Sequence, residues 1–525
     1  MSPVKRVYFQ CIVPVVILAF FFNGCAAKKV YSKETVLKTA YHSPVEKFKR
    51  RDFISKAYAH YLRGLLYERQ NKLELAIQEY LRASRYDKQS SAIAVKLGTA
   101  YFKKGDFKQS VAQLKKVLRG DPEDISVRLL LGVIYATLGN LQEAVLVYEE
   151  IAKLDPANKQ ALLSLADLYV LQRRIEKAII VYEQLAQKQI SLPYVYFNLG
   201  MLYSQIGKYD DAIPHLEQAI KFTPDYLEAY LGLALVYELK NETAKSQQFY
   251  EKAINIQPES PLAYFRLGQM YVEQELYDKA LAMFQKVRVI NPRVVDAYFE
   301  MAHIYLKTNK TDQAMEVLLE AEPLLKEKSR LFLLLGLANS IKENFIDAED
   351  YYKKTLALNP NDDLVYFYLG ALYEKQGNRE LAKKQFERSL EINPNNPDAC
   401  NYLGYMFAED GQHLDKAIML IKRALQIEPD NGAYVDSLGW AYYKKGVLDD
   451  ALIYLERAVE LLDSDPIIHD HLGDVYFEKG FTPKARQQWE RSLELDPEQE
   501  KVKEKLRKLD EKSTQDITLN IKEEQ

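Results

Sequence analysis

A small residue recurs every 34 positions along most of this chain, and that spacing constrains the fold more than any other feature. Ten of the thirteen slots hold glycine and three hold alanine, with one step lengthened by a single residue. The slots are Gly64, Gly98, Gly132, Ala166, Gly200, Ala234, Gly268, Ala302, Gly336, Gly370, Gly404, Gly439 and Gly473. Self-similarity at a fixed period of about 20–50 residues is typical of a repeat array.

Three further columns keep the same period. An aromatic residue follows each small slot by three positions, as Tyr67 follows Gly64, and only Asn339 breaks this column. A second small residue lies twelve positions after the slot, as at Ala76, and nine units end in a proline such as Pro122. Facing helices approach closely only where side chains are small, aromatics fill the space left beside them, and proline stops a helix. The columns therefore predict stacked helix pairs with one continuous core.

This set of columns resembles the tetratricopeptide repeat, including its 34-residue length, over residues 57–499. The resemblance implies an all-α fold, a right-handed α-solenoid (superhelix) of about 13 helix-turn-helix units, similar to bacterial tetratricopeptide lipoproteins. The expected units are 57–90, 91–124, 125–158, 159–192, 193–226, 227–260, 261–294, 295–328, 329–362, 363–396, 397–431, 432–465 and 466–499.

A capping helix is expected at the carboxyl end of the array, over residues 498–512. Val502, Leu506 and Leu509 form one apolar stripe there on an otherwise polar segment, as a solvated end of a repeat stack requires. Residues 513–525 are expected to be a frayed tail.

The amino terminus has the pattern of an export signal over residues 1–24. Lys5 and Arg6 precede an almost wholly apolar run from Val7 to Phe22, which is short for a helix that crosses a bilayer. A small residue directly before Cys25 resembles a bacterial lipobox, although Phe22 and Asn23 depart from its usual residues. The resemblance implies lipidation of Cys25, a tether over residues 25–56 and a periplasm-facing protein, expected at the outer membrane. An uncleaved inner-membrane anchor, or an ordinary signal with a chance cysteine, is the alternative.

Charge and motifs exclude several function classes. Lys and Arg number 71 against 74 Asp and Glu, so the chain lacks the basic balance of a nucleic-acid-binding protein. No phosphate-binding loop, zinc motif or nucleophile elbow occurs in the sequence, and no enzyme, cofactor or metal site is predicted. His469-Asp470-His471 is the one histidine cluster, but residues two apart point away from each other on a helix.

Function is expected on the first helix of each pair, which lines the concave groove of tetratricopeptide arrays. The repeat positions that face this groove are apolar in the middle of the array, at Phe197, Met201, Phe265, Phe299 and Phe367. An alternative interpretation places these five residues in the core between repeats.

The last three units present a different set to the groove, one of aromatic and acidic residues. They are Asn401, Tyr405, Asp436, Trp440, Tyr443, Asp470, Asp474 and Phe477. Asp470 and Asp474 are like charges one turn apart, a local cost that is expected at a binding site. Such a surface suits a basic or extended peptide, or a sugar ring; a merely solvated acidic face is the alternative.

Three functions are compatible with this pattern. The first is a non-catalytic cell-envelope scaffold that binds a protein or peptide partner in its groove, for assembly or secretion at the membrane. The second is a component of polysaccharide export or cell-wall handling that contacts glycan. The third is an accessory array for a glycosyltransferase complex. The first two predict surface-exposed aromatic side chains in the last three units, which include Trp440.

Overall fold

The computed structural model describes residues 44–188 and 192–523, with side chains for 51–188 and 192–511. These residues form 27 α-helices and one short 3-10 helix, and no strand occurs among them. The predicted signal peptide, the lipidation at Cys25 and most of the tether lie outside the described residues. Within the described part of the chain, no helix is long and apolar enough to cross a membrane.

The chain divides into two compact units, residues 1–270 and 271–525. The helices that lie wholly in the first unit are α1 (Pro44–Arg69), α2 (Leu73–Tyr86), α3 (Ser91–Lys104), α4 (Phe107–Gly120), α5 (Ile125–Thr137), α6 (Leu141–Leu154), α7 (Lys159–Leu171), α8 (Ile175–Gln187), α9 (Pro193–Gln205), α10 (Tyr209–Phe222), α11 (Leu227–Leu239) and α12 (Thr243–Ile256). Helix α13 (Pro261–Glu273) contains the boundary between the units.

The second unit continues the alternation of helices. Its helices are α14 (Tyr277–Ile290), α15 (Val295–Lys307), α16 (Thr311–Ala321), α17 (Ser329–Ile341), α18 (Phe345–Leu358), α19 (Asp363–Lys375), α20 (Arg379–Ile392), α21 (Pro397–Glu409), α22 (Leu414–Ile427), α23 (Gly432–Lys444), α24 (Leu448–Leu461), α25 (Pro466–Glu478), α26 (Thr482–Leu495) and α27 (Glu500–Glu523). The 3-10 helix Glu322–Leu324 lies between α16 and α17.

The small residues of the 34-residue column lie where paired helices touch. A methyl group added at Gly370 would come within 2.6 Å of the Phe386 ring on the partner helix, and one at Gly473 within 2.5 Å of the Trp489 indole. Large side chains of the partner helix therefore fill the space beside these glycines: aromatic rings at Gly64, Gly132, Gly336, Gly370 and Gly473, and leucine or isoleucine at Gly98, Gly200, Gly404 and Gly439. The all-α helical-repeat fold is confirmed.

Successive pairs are joined by a repeated hydrogen bond. The tyrosine three positions after the small slot donates its hydroxyl to a glutamate on the second helix of the preceding pair. In the first unit Tyr169 donates to Glu149 at 2.6 Å, and in the second unit Tyr373 donates to Glu349 and Tyr476 to Glu456, both at 2.7 Å. This aromatic column thus has a polar role between pairs as well as a packing role.

Both ends of the described chain differ from the predicted boundaries. Helix α1 begins at Pro44, so residues 44–56 are helical rather than part of a tether; proline is favourable at the first helical position, and no glycine follows before Gly64. Helix α27 continues to Glu523, past the predicted end at 512, because residues 513–523 contain no glycine or proline. Val502 and Leu509 of this helix are buried against the last pair.

Candidate functional site

The candidate site lies on the first helices of the last three pairs, α21, α23 and α25. Each of these helices is started by a side-chain cap: Asn396, Asn431 and Asp465 accept hydrogen bonds from the backbone N–H groups two or three residues later. The caps fix where each helix starts, and the 34- or 35-residue period then brings equivalent positions of the three helices side by side.

Trp440 lies at the centre of the site, and it is buried rather than exposed. Its indole stacks on the His471 ring at 3.9 Å between centroids and on the Tyr443 ring at 4.9 Å, and 7% of its surface remains accessible. The indole N–H donates to Glu409, and the Lys444 ammonium lies 4.7 Å from the ring centroid. The expectation of an exposed tryptophan is wrong, because His471 comes from the next pair and covers the ring.

His471 and Asp436 form a buried pair beside that stack. The Nδ1 atom of His471 lies 3.0 and 3.1 Å from the two carboxylate oxygens of Asp436, and both side chains are buried. Burial lowers the pKa of His471, but the Asp436 carboxylate opposes this and holds the pKa above its usual value. The pair positions Trp440, since the imidazole is held against the indole by its partner on α23.

The like charges at Asp470 and Asp474 are bridged by a lysine of the capping helix. The Lys505 ammonium lies 2.6 Å from a carboxylate oxygen of each aspartate, and the Trp489 indole N–H donates to Asp474 at 3.1 Å. Burial raises the pKa of Asp474 even so. The predicted cost of this acidic pair is therefore offset within the chain, and the pair is not a vacant cation site.

The two tyrosines of the site are half-buried among carboxylates. Burial, followed by the nearby Asp474, Glu478 and Asp470, raises the pKa of Tyr443 to about 12. Burial and Glu409 raise the pKa of Tyr405 above its usual value, and Asp436 adds to the effect. Carboxylates thus lie near both phenol rings, while Lys505 bridges two of those near Tyr443 and Arg379 lies near Tyr405.

Asn401 and Phe477 mark the two edges of the site. The side-chain oxygen of Asn401 is buried and has no hydrogen-bond partner within the chain, a state that costs free energy unless a ligand or water supplies a donor. Phe477 is 37% exposed and packs against Trp489 at 5.6 Å between ring centroids. Phe477 is therefore the predicted site residue with the largest apolar surface available to a partner.

The predicted apolar groove is mostly core. Phe197, Met201, Phe265 and Phe299 are buried, and only Phe367 keeps partial exposure. In the first unit the Phe197 ring packs 5.5 Å from the Tyr226 ring, between centroids. Such positions pack against the neighbouring pair, so the alternative interpretation, a core between repeats, describes these residues.

Three residues of the site were not predicted from the sequence: Glu409, His471 as the partner of Asp436, and Lys505. Two of them share the same sequence separation from their partners: Asp436 and His471 are 35 residues apart, and so are Asp470 and Lys505. The repeat period therefore indicates both pairs when charged residues are compared between units in the same way as glycines. His469 points elsewhere, with Nδ1 2.6 Å from Gln488, and no group of three potential metal ligands occurs in the described residues.

Comparison with known proteins gives matches to helical repeats along much of the chain. The model of the tetratricopeptide repeat protein 21 N-terminal ARM repeat matches residues 101–315, and two tetratricopeptide repeat models match residues 50–91 and 364–396. Comparison with curated proteins gives no match.

Among solved structures, the chain is similar to the APC/C hetero-tetramer Cut9–Hcn1, with 17% identity, a TM-score of 0.43 and coverage of 89% of this chain and 99% of that one. It is also similar to yeast Tom70, with 15% identity, a TM-score of 0.41 and coverage of 86% and 99%. A tetratricopeptide repeat protein from Parabacteroides merdae ATCC 43184 has 22% identity, a TM-score of 0.36 and coverage of 48% and 99%.

Proposed function

Because the chain belongs to the tetratricopeptide-repeat family, whose helical-repeat scaffolds typically mediate protein–protein interaction, we propose that it is a non-catalytic cell-envelope scaffold. Its partner is a protein or peptide, bound across α21, α23 and α25, and its role is in assembly or secretion at the membrane.

The observation that carries this proposal is the exposed ring of Phe477 next to the half-buried Tyr443, with the exposed carboxylate of Glu478 close to Tyr443. Phe477 offers an accessible ring, and the half-buried Tyr443 adds a second one next to it in the site. Asp470, Asp474 and Glu478 lie close enough to Tyr443 to shift the pKa of its hydroxyl. Aromatic anchors surrounded by charges of one sign are typical of a surface that selects a partner of opposite charge.

A partner that fits this face is an extended segment with a lysine or arginine next to an apolar residue. The apolar residue would contact Phe477, and the cation would lie over the phenol of Tyr443 and near the exposed Glu478, which Lys505 does not bridge.

The glycan alternative is less well supported by this geometry. Stacking of a sugar ring needs an open aromatic face, and the Trp440 indole is already covered by His471 and Tyr443. An oligosaccharide that quenches Trp440 fluorescence in the wild-type chain would favour this alternative. No specific observation supports the third function, an accessory array for a glycosyltransferase complex.

The envelope location rests on the sequence of residues 1–25 alone. The charged start, the apolar run and Cys25 support a lipid anchor of the lipoprotein type. The intact mass of the protein extracted from bacterial membranes tests it: a diacylated amino-terminal Cys25 is expected, and an unmodified Met1 would refute the anchor.

A capture experiment tests the site. The full chain and a Tyr443→Ser, Phe477→Ser variant are used as baits in envelope extracts, with Ile453→Ser as the matched control, since Ile453 is exposed on α24. We expect the double variant to lose partners that the wild type and the control both retain. Identical captured sets for all three baits, with unchanged unfolding midpoints, would show that this face is not the binding surface.

A further inference from the structure

The first helix of the array exposes an apolar stripe that has no packing partner in the described structure. Ile54, Tyr58, Leu62 and Leu66 follow one another at four-residue spacing on α1, so they cover an arc of about 120° along one side of the helix. All four are exposed, Tyr58 to 62% and Leu66 to 57%.

The exposure of Leu66 is unusual for its place in the repeat. In every later pair that lies wholly within the first unit, the residue two positions after the small slot is buried. These residues are Ala100, Ile134, Leu168, Leu202 and Val236. Each belongs to a helix that packs against the second helix of the preceding pair. Leu66 lies on the corresponding face of α1, which no described pair covers.

Helix α27, at the other end of the array, does not expose an apolar face of this kind over its described side chains. Helix α27 turns Val502 and Leu509 inward, and its outward residues are charged, as at Lys503 and Glu504. The exposed apolar stripe on α1 is therefore expected to contact a specific binding partner.

The charge around the stripe indicates which occupant. Residues 44–69 carry seven lysines and arginines against three acidic residues, in a chain whose net charge is −3. Arg51 and Arg63 are exposed on the same helix as the stripe, whereas the exposed Lys56 is paired with Asp52 at 2.6 Å. An exposed row of aromatic and aliphatic residues with arginines beside it suits the surface of an anionic membrane.

We infer that α1 docks on a bilayer surface with anionic headgroups. Ile54, Tyr58, Leu62 and Leu66 enter the boundary between headgroups and acyl chains, while Arg51 and Arg63 contact lipid phosphates. The helix lies on the membrane and does not cross it. This inference goes beyond partner binding by α21, α23 and α25.

The proposed anchor makes weak docking effective. Eighteen residues, 26–43, separate Cys25 from the start of α1, so a lipid on Cys25 would keep α1 near the bilayer surface. A helix held that close to a surface has a high effective concentration there, so a modest intrinsic affinity suffices.

The test uses a fluorescent reporter on the stripe of the full chain. A Tyr58→Trp variant is reconstituted in vesicles of brominated phosphatidylcholine, with and without phosphatidylglycerol, and Ile346→Trp is the matched control. Ile346 is 85% exposed on α18, and the native Trp440 and Trp489 are buried and give the same background in both. We expect the Tyr58→Trp emission to shift to the blue and to fall about two-fold in anionic vesicles, with no change for Ile346→Trp.

Removing the charges separates docking from simple proximity. Adding Arg51→Gln and Arg63→Gln to Tyr58→Trp should abolish the quenching while the chain remains vesicle-bound through its amino terminus. Equal quenching of both reporters, or none in either, would overturn the inference. A blue shift that appears without lipid would also overturn it, because a second copy or the chain's own amino-terminal residues would then cover the stripe. Partner capture through Phe477 is unaffected by any of these outcomes.

Discussion

Gly370 has room for a hydrogen atom and for nothing larger, because the Phe386 ring lies directly against its α-carbon. A methyl group there would come within 2.6 Å of the ring. The same arrangement recurs at Gly64, Gly132, Gly336 and Gly473, each opposite a tyrosine or tryptophan. This part of the structure could be predicted from the sequence, since both members of each contact stand in columns of fixed period.

Replacing Gly370 by alanine should therefore destabilise the second unit. We expect a loss of about 1–3 kcal/mol from overpacking against Phe386, measured as a fall in the urea midpoint of the full chain. Gly120→Ala is the matched control, because nothing lies within 4 Å of a methyl group at this exposed end of α4. The control should be neutral or stabilising; an equal loss in both variants would mean that close helix contact is not the reason for glycine.

The His471–Asp436 pair makes stability depend on pH. Because the folded-state pKa of His471 is raised above 6.5, the pair stabilises the fold fully below that value and loses its effect as the pH rises through the folded-state pKa. We expect the urea midpoint of wild type to exceed that of Asp436→Asn most at pH 6 and least at pH 9. A difference that grows towards pH 9 would contradict the assigned pairing.

At the scale of helices, contacts with neighbouring helices determine the side-chain environments that the repeat columns do not specify. The sequence places Trp440 on the correct helix but not in the correct environment, because its cover comes from His471 on α25 and its hydrogen-bond acceptor from Glu409 on α21. Helical periodicity within one segment says which residues share a face. It does not say which side chain of the next pair lies over that face, and this is why the burial of Trp440 was missed.

Helix α27 contributes Lys505 to the candidate site and also covers the last pair. Removing Lys505 leaves two half-buried carboxylates without a counter-charge, so Lys505→Ala should cost about 1–3 kcal/mol at pH 7. The matched control is Lys503→Ala on the same helix, which loses only an exposed pair with Glu500 and should leave the urea midpoint nearly unchanged.

The pH profile of Lys505→Ala provides a second readout. Burial raises the pKa of Asp474 above its usual value, so the folded state takes up a proton more readily than the unfolded state. Stability of the variant should therefore recover towards that of wild type as the pH falls from 7 to 4. An unchanged deficit at pH 4 would indicate lost packing by α27 rather than uncompensated charge.

At the scale of the whole molecule, the repeat provides helices that are similar in packing and different in surface. Most predicted groove residues of the middle pairs, such as Phe299, belong to the core, whereas α21, α23 and α25 carry Tyr405, Tyr443 and Phe477 at the edge of a carboxylate cluster. The fold follows from the period alone. The position of the proposed binding face does not follow from it, because that face depends on the few positions at which the repeats differ.

Capture of a partner by this face should weaken with salt. Raising the salt concentration from 0.05 to 0.5 M shortens the Debye length to about 4 Å, so attraction between surface carboxylates and a basic segment is largely screened. We expect recovery of the partner to fall steadily over this range, as quantified by mass spectrometry of the eluates. Recovery that rises with salt would indicate a purely apolar contact.

Site-specific photo-crosslinking tests the central claim most directly. A photoreactive residue placed at Phe477 on α25 should link to a basic segment of a single envelope protein, mapped by mass spectrometry, whereas the same residue at the exposed Met419 on α22 should not. Links of equal yield from both positions, or a link from Met419 alone, would contradict the assignment of the binding face.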